Sequence, residues 1–137
     1  MNIGFIGVGK LGIPCAEEIV KKGHTVQGYD TSKIISELII QKPTIKDVVT
    51  GADIVFVAVP TPHHEDYDGS RPTSHLPPKD FNYDIVNDVL EEADMHMTKD
   101  QLLVPIITIS GLIISQPTVP IAIRYGLYTK RVCVTRG

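Results

Sequence analysis

Three closely spaced glycines near the amino terminus are arranged so that they could hold a diphosphate. They follow an apolar run over residues 3–6 and precede an amphipathic segment over 13–20, so they occupy a predicted strand-to-helix turn. The first would permit a tight turn, the second would let a pyrophosphate approach bare backbone, and the third would let helix and strand pack closely. The helix N-terminus would add unpaired N–H groups and a positive dipole end. The candidate cofactor-binding turn is Gly7, Val8, Gly9, Lys10, Leu11 and Gly12.

A carboxylate follows this turn at a suitable distance. Asp30 ends a second apolar stretch, eighteen residues beyond Gly12. In the functional interpretation it accepts hydrogen bonds from the adenosine ribose hydroxyls, and it favours NAD over NADP because a 2′-phosphate would meet like charge. In the structural alternative Asp30 caps a helix and the glycines serve only a tight turn. Because strand, helix and acidic residue occur together, we predict that the cofactor is NAD.

Strand and helix patterns alternate along the chain. Predicted strands cover residues 2–7, 25–29, 39–40, 54–59 and 102–109, and predicted helices cover 10–22, 32–38, 44–49 and 83–97. This alternation predicts an α/β fold, a three-layer, Rossmann-type, doubly wound parallel sheet with strand order 3-2-1-4-5. Ligands of such sheets lie beyond the carboxyl ends of the strands. We therefore expect the glycine turn and Asp30 to meet the residues that end the fourth strand, namely Val59, Pro60 and Thr61.

A long proline-rich loop over residues 60–81 follows the fourth predicted strand. Loops of this length in compact domains tend to be functional. Thr61 lies between two prolines and is either an ordinary loop residue or a residue that contacts the cofactor. The loop also contains a group of histidines and acids, namely His63, His64, Glu65, Asp66, Asp68 and His75. Because their spacing matches no zinc pattern, we predict no metal site.

Composition excludes several classes of protein. A chain of 137 residues with net charge −3 is one domain by length and shows no preference for nucleic acid or an anionic membrane. It has neither a signal-peptide pattern nor an apolar run long enough to span a bilayer. Cys15 and Cys133 lack metal spacing and a disulfide framework, which indicates a cytoplasmic setting. We expect Cys15 to be buried on the first helix, and we assign no catalytic residue.

The amino-terminal segment over residues 2–30 resembles two sister families, the beta-hydroxyacid dehydrogenases and the nucleotide-sugar dehydrogenases. Residues 54–62, IVFVAVPTP, are similar to the VAVPTP stretch of UDP-glucose/GDP-mannose dehydrogenases, and the loop over 67–81 resembles UDP-glucose dehydrogenases in particular. This resemblance covers about residues 1–104. It implies the NAD-binding domain of an oxidoreductase that converts the primary alcohol of UDP-glucose to the carboxylate of UDP-glucuronate.

The resemblance also implies roles for individual residues. By this resemblance the three glycines hold the pyrophosphate, Asp30 holds the ribose and Thr61 lies near the phosphates. Thr108 corresponds to the threonine of a Ser-Thr pair that ends the fifth strand of the family, although Ile107 replaces the serine. The family's catalytic glutamate, lysine, aspartate and cysteine have no counterpart, because neither cysteine here matches the Gly-rich motif.

The carboxyl-terminal segment departs from the family pattern. Residues 110–137 hold four basic residues and no acidic one, whereas all 16 acidic residues lie before residue 101. The family continues after the fifth strand with a Val-x-Pro-Gly-Thr turn, but this chain reads Ile109-Ser110-Gly111. We therefore expect residues 1–109 to form the NAD-binding domain, residues 110–137 to be a divergent or frame-shifted tail, and the sugar-binding domain to be absent. A nucleotide sugar would then bind only if a second domain were supplied.

Two alternatives of other classes stay open. One is a stand-alone regulatory module that binds NAD(H) without turnover, and the other is a non-catalytic fragment that docks on a full-length dehydrogenase. An apolar face left by a missing central helix would favour self-association into a homo-oligomer.

Overall fold

The computed structural model describes residues 1–77, 79 and 81–106, which form a five-stranded parallel sheet with helices on both faces. The strands are β1 (Asn2–Ile6), β2 (Thr25–Tyr29), β3 (Ile40–Gln41), β4 (Ile54–Val57) and β5 (Leu102–Pro105). Their spatial order is β3-β2-β1-β4-β5, and every neighbouring pair is parallel. The doubly wound order predicted from the sequence is therefore confirmed.

Three α-helices occur within the described residues, namely α1 (Gly12–Lys21), α2 (Ile45–Val49) and α3 (Asp84–His96). None of these helices is long and apolar enough to cross a bilayer. The predicted helix over residues 32–38 is wrong, because this stretch is irregular. Local side chains take its backbone donors: the Ser32 N–H donates to Asp30, and the Leu38 N–H donates to the Ser36 hydroxyl. Seven residues are also too few for a stable helix without strong tertiary support.

The two faces of the sheet bury separate apolar clusters, because successive side chains of a strand point in opposite directions. On one face Phe5 packs with Ala16 of α1 and stacks on Phe56, with ring centroids 5.2 Å apart. On the other face Ile6 packs against α2 and α3, where Leu90 is buried. The fold therefore holds α1 on one side of β1 and the other two helices on the opposite side.

The short helix α2 is fixed by side-chain hydrogen bonds at both ends. Thr44 caps its N-terminus, where its hydroxyl accepts the Asp47 N–H. Near its C-terminus, Gln27 of β2 donates to the Val48 carbonyl at 2.8 Å, and Gln101 before β5 donates to the Val49 carbonyl at 2.7 Å. Two glutamines on opposite sides thus satisfy carbonyls that a helix end leaves unpaired.

Pro105 lies in β5 without breaking the ladder, because β5 is an edge strand of the sheet that the described residues form. The N–H groups of Leu102 and Ile106 donate to the carbonyls of Asp53 and Val57, at 3.1 and 2.7 Å. Alternate residues of β5 therefore face β4, and the position of Pro105 faces away from β4. No ladder donor is lost there, which is where proline is tolerated.

Candidate cofactor site

A crevice of about 770 Å³ opens at the carboxyl ends of β1, β2 and β4. This is the point where the strand order reverses, and ligands of open α/β sheets bind there. Its walls are the glycine turn, the end of β2, the segment after β4 and one side of α3. The described residues that line it are Ile6, Gly7, Gly9, Lys10, Leu11, Gly12, Tyr29, Asp30, Thr31, Ala58, Val59, Pro60, Thr61, Ile85, Val89 and Ile106.

The three glycines of the turn differ in what surrounds them. Gly7 has φ +86°, and a Cβ on it would lie 2.4 Å from the Ala58 carbonyl oxygen. A Cβ on Gly12 would lie 2.3 Å from the carbonyl oxygen of Gly7. A Cβ on Gly9 would meet no atom of the residues that the structure describes within 4 Å. Packing therefore requires the first and third glycines, whereas Gly9 leaves open space at the crevice, as a pyrophosphate resting on bare backbone would need.

The start of α1 offers backbone donors to the same space. The Ile13 N–H donates to the Gly9 carbonyl at 2.9 Å. Within the described part of the chain, the N–H groups of residues 9–12 have no acceptor. No side chain caps the helix at Leu11, and its first turn contains no acidic residue. Free donors and the positive end of the helix dipole make this a site suited to an anion.

Asp30 is fixed beside the turn by two backbone donors. Its Oδ2 accepts the Val8 N–H at 2.7 Å, and its Oδ1 accepts the Ser32 N–H at 2.9 Å. No helix follows, so the alternative of a helix cap is wrong. Each carboxylate oxygen can accept about two hydrogen bonds. Both oxygens therefore keep capacity for ribose hydroxyls, while the side chain of Val8 is buried in the core and only its backbone faces the turn.

The segment after β4 forms the wall opposite Asp30. Val59, Pro60 and Thr61 all line the crevice, as the sequence predicted for their position. The Ala58 N–H donates to the Ile6 carbonyl at 2.7 Å, which ties this segment to the end of β1. Thr108 lies outside the described residues.

Sequence reasoning missed part of the apolar wall. Ile85 and Val89 of α3 line the crevice, where Ile85 is 42% exposed and Val89 also packs against the core cluster that contains Leu90. They lie four residues apart on α3, beside the buried stripe of Val86 and Leu90. Two parallel apolar stripes on one helix could have indicated a second surface. Cys15 was expected to be fully buried but is only partly buried beside α1's core face.

The loop after β4 is braced by its own side chains. Lys79 Nζ lies 2.9 Å from Asp66 Oδ2 and 3.2 Å from His64 Nε2. The hydrogen bond and charge of Lys79 hold the pKa of Asp66 below its ordinary value. The Asn82 N–H donates to the Pro62 carbonyl at 2.9 Å and so joins the two ends of the loop. Among residues 1–77, 79 and 81–106, no three metal-ligating side chains form a group that could hold an ion.

The sheet order, the glycine turn and the carboxylate at the end of β2 together define a dinucleotide-binding domain of the Rossmann class. Residues 2–71 match the family described as the NAD binding domain of 6-phosphogluconate dehydrogenase. The chain belongs to this family. NAD is therefore the cofactor, and the bare surface at Gly9 with the free N–H groups beside it fits the pyrophosphate.

Two curated relatives are oxidoreductases. An uncharacterized oxidoreductase of Bacillus subtilis (YkwC) is 39% identical over 77 residues, which are 51% of this chain and 27% of the relative. The 2-hydroxy-3-oxopropionate reductase of Escherichia coli is 32% identical over 71 residues, which are 48% of this chain and 24% of the relative. The chain thus spans about a quarter of the length of these relatives. The chain is an NAD-binding domain that is similar in part to these oxidoreductases.

Solved structures share the fold at low identity. GDP-mannose dehydrogenase from Pseudomonas aeruginosa has a TM-score of 0.69 at 17% identity, and the match covers 99% of this chain and 35% of that one. An imine reductase from Myxococcus stipitatus in complex with NAD+ has a TM-score of 0.62 at 18% identity, and the match covers 98% of this chain and 39% of that one. At these identities the likeness concerns the fold alone.

Replacing Gly9 separates cofactor binding from folding. We expect Gly9→Val to weaken NADH binding by about tenfold or more, which is about 1.4 kcal/mol, because the new side chain would fill the space at the bare backbone. The melting temperature should stay close to wild type, since a Cβ there meets no atom within 4 Å. Isothermal titration calorimetry and thermal denaturation measure the two quantities.

Gly12→Ala is the matched control, with the opposite expectation. Its Cβ would lie 2.3 Å from the Gly7 carbonyl oxygen, so the melting temperature should fall clearly. Unchanged NADH affinity in Gly9→Val would contradict the placement of the pyrophosphate, and equal destabilisation of both variants would contradict the distinction between the two glycines.

Proposed function

We propose that this chain forms the NAD-binding domain of a nucleotide-sugar dehydrogenase of the UDP-glucose type. The observation that carries the proposal is the VAVPTP segment over residues 57–62 with the proline-rich loop that follows it, because this segment lines the crevice through Ala58, Val59, Pro60 and Thr61. Residues of a further domain would supply the sugar pocket. The shared fold of GDP-mannose dehydrogenase supports this assignment without specifying the substrate.

Each wall of the crevice has a role in this proposal. The N–H groups of the turn over residues 9–12 bind the pyrophosphate, and Asp30 accepts hydrogen bonds from the adenosine ribose. Thr61 orients the cofactor near its phosphates, and the apolar side chains of Ile85 and Val89 exclude water from one side. The bound cofactor supplies a hydride acceptor, so the protein's contribution is to position it.

A hydroxyacid dehydrogenase is the second candidate, and a specific observation favours it. The family match covers the glycine turn and β2, which the two sister families share, and the E. coli relative is a 2-hydroxy-3-oxopropionate reductase. The family match ends at residue 71, inside the loop over residues 60–81 whose proline pattern resembles the UDP-glucose enzymes. That loop is therefore the basis for preferring a nucleotide sugar.

Binding and turnover assays separate the proposed domain from a docking fragment and from a complete enzyme. We expect NADH to raise the melting temperature of the full chain, because the crevice binds the cofactor in the native state only. Addition of UDP-glucose with NAD should produce no NADH, since the proposed sugar pocket belongs to another domain. A regulatory module would give the same binding, whereas a docking fragment would bind no cofactor. Turnover of UDP-glucose would overturn the proposal that this chain acts only as the cofactor half.

The DNA after codon 105 tests both the parent enzyme and the proposed tail. We propose that residues 110–137 are a divergent or frame-shifted segment, because acidic residues and the family resemblance end at nearly the same place. We expect an alternative frame to encode the Val-x-Pro-Gly-Thr turn and a Gly-rich segment with a cysteine. A continuation of hydroxyacid dehydrogenase type would favour the second candidate, and neither pattern in any frame would contradict the frameshift.

Asp30 provides a test of cofactor preference. We expect Asp30→Asn to weaken NAD binding several-fold and to weaken NADP binding less, because loss of the negative charge removes repulsion of a 2′-phosphate. Asparagine keeps one acceptor oxygen for the Val8 or Ser32 N–H, so the turn should stay folded. Fluorescence titration with NADH and NADPH measures the ratio of the two affinities. Equal losses for both cofactors would contradict the ribose role.

A further inference from the structure

Two charged side chains line the crevice within the described part of the chain, Lys10 and Asp30. Asp30 is held by the backbone N–H groups of Val8 and Ser32. Lys10 is exposed and forms no ion pair with any described residue, unlike Lys21, which pairs with Glu18. The crevice therefore has one cation whose charge is not neutralised by a neighbouring acid.

The charge of a pyrophosphate exceeds what the helix end alone can balance. A helix N-terminus acts as about half a positive charge, whereas the pyrophosphate of a dinucleotide is a doubly charged anion. Asp30 adds a further negative charge to the same crevice. The helix end and the N–H groups of residues 9–12 can bind this anion, and a cation beside them would balance more of its charge.

Lys10 directly follows Gly9, so its side chain starts at the edge of the bare surface. The first turn of α1 carries no acidic residue that would compete for the ammonium group. A lysine is a compact charge on a flexible stem and can follow a phosphate without fixed geometry. The position of Lys10, its charge and its lack of an ion-pair partner among the described residues therefore all favour contact with a phosphate at this turn.

We propose that the Lys10 ammonium group contacts the phosphates of the bound dinucleotide and selects ligands that contain a diphosphate. This inference rests on the proposed cofactor site and assigns to one side chain the charge recognition within it. The backbone N–H groups orient the phosphates. The charge of Lys10 provides most of the electrostatic attraction to them, and this attraction depends on ionic strength.

Lys10→Met tests the proposal with three ligands. We expect NADH and ADP to bind roughly three- to tenfold more weakly, as for loss of a partly exposed charge-assisted contact. Adenosine, which lacks phosphate, should bind equally to wild type and variant in ligand-observed NMR titration. The salt dependence of NADH affinity should decrease in the variant. Lys10→Arg should retain affinities close to wild type.

Lys22→Met is the matched control, because Lys22 is an exposed lysine at the other end of α1. It removes the same net charge beyond the far end of a helix about 15 Å long and should leave all three affinities unchanged. Unchanged NADH affinity in Lys10→Met, equal weakening of adenosine, or an equal effect in Lys22→Met would each overturn the inference. Absence of NADH binding by the wild-type chain would overturn the proposed function as well, so the two failures are distinguishable.

Discussion

The structure depends on one close approach between backbone segments, where α1 begins directly against the turn that ends β1. The space between Gly12 and the Gly7 carbonyl oxygen is too small for a side chain, and Gly7 itself lies against the Ala58 carbonyl after β4. The turn is thereby held by β1, by α1 and by the segment after β4. Because backbone atoms rather than flexible side chains set these contacts, the N–H groups of residues 9–12 have fixed positions before any ligand binds.

This close packing at Gly7 and Gly12 explains why Gly9 has a different role from the other two glycines. Gly7 and Gly12 satisfy packing, and their removal would disturb the fold whether or not a ligand existed. Gly9 faces open space, so nothing among the described residues accounts for its missing side chain. This difference between the glycines is a physical argument that the turn binds an anion. The hydrogen bond from the Val8 N–H to Asp30 then links the anion site to the proposed ribose site.

The sequence predicted the sheet order and the glycine turn because both depend on local patterns, namely apolar runs, alternation of elements and glycine spacing. It failed where nonlocal packing or local side chains decide. The expected helix over residues 32–38 is replaced by hydrogen bonds to Asp30 and Ser36. Pro105 is tolerated because its position faces away from β4, at the edge of the sheet that the described residues form, and Ile85 lines the crevice because of how α3 packs across the sheet. Neither fact is encoded in the spacing of nearby residues.

Cofactor binding and chemistry on a substrate are separable in this architecture. Among the described residues that line the crevice there is one carboxylate, one amine and no thiol. The carboxylate of Asp30 already accepts two backbone N–H groups, and Lys10 starts beside the bare surface, so both belong to the cofactor end of the crevice. The wall formed by Ile85 and Val89 is apolar and can exclude water, but it offers no group that could move a proton. On the proposed function, acid–base chemistry therefore has to come from residues beyond this wall, which is the reason to expect binding without turnover.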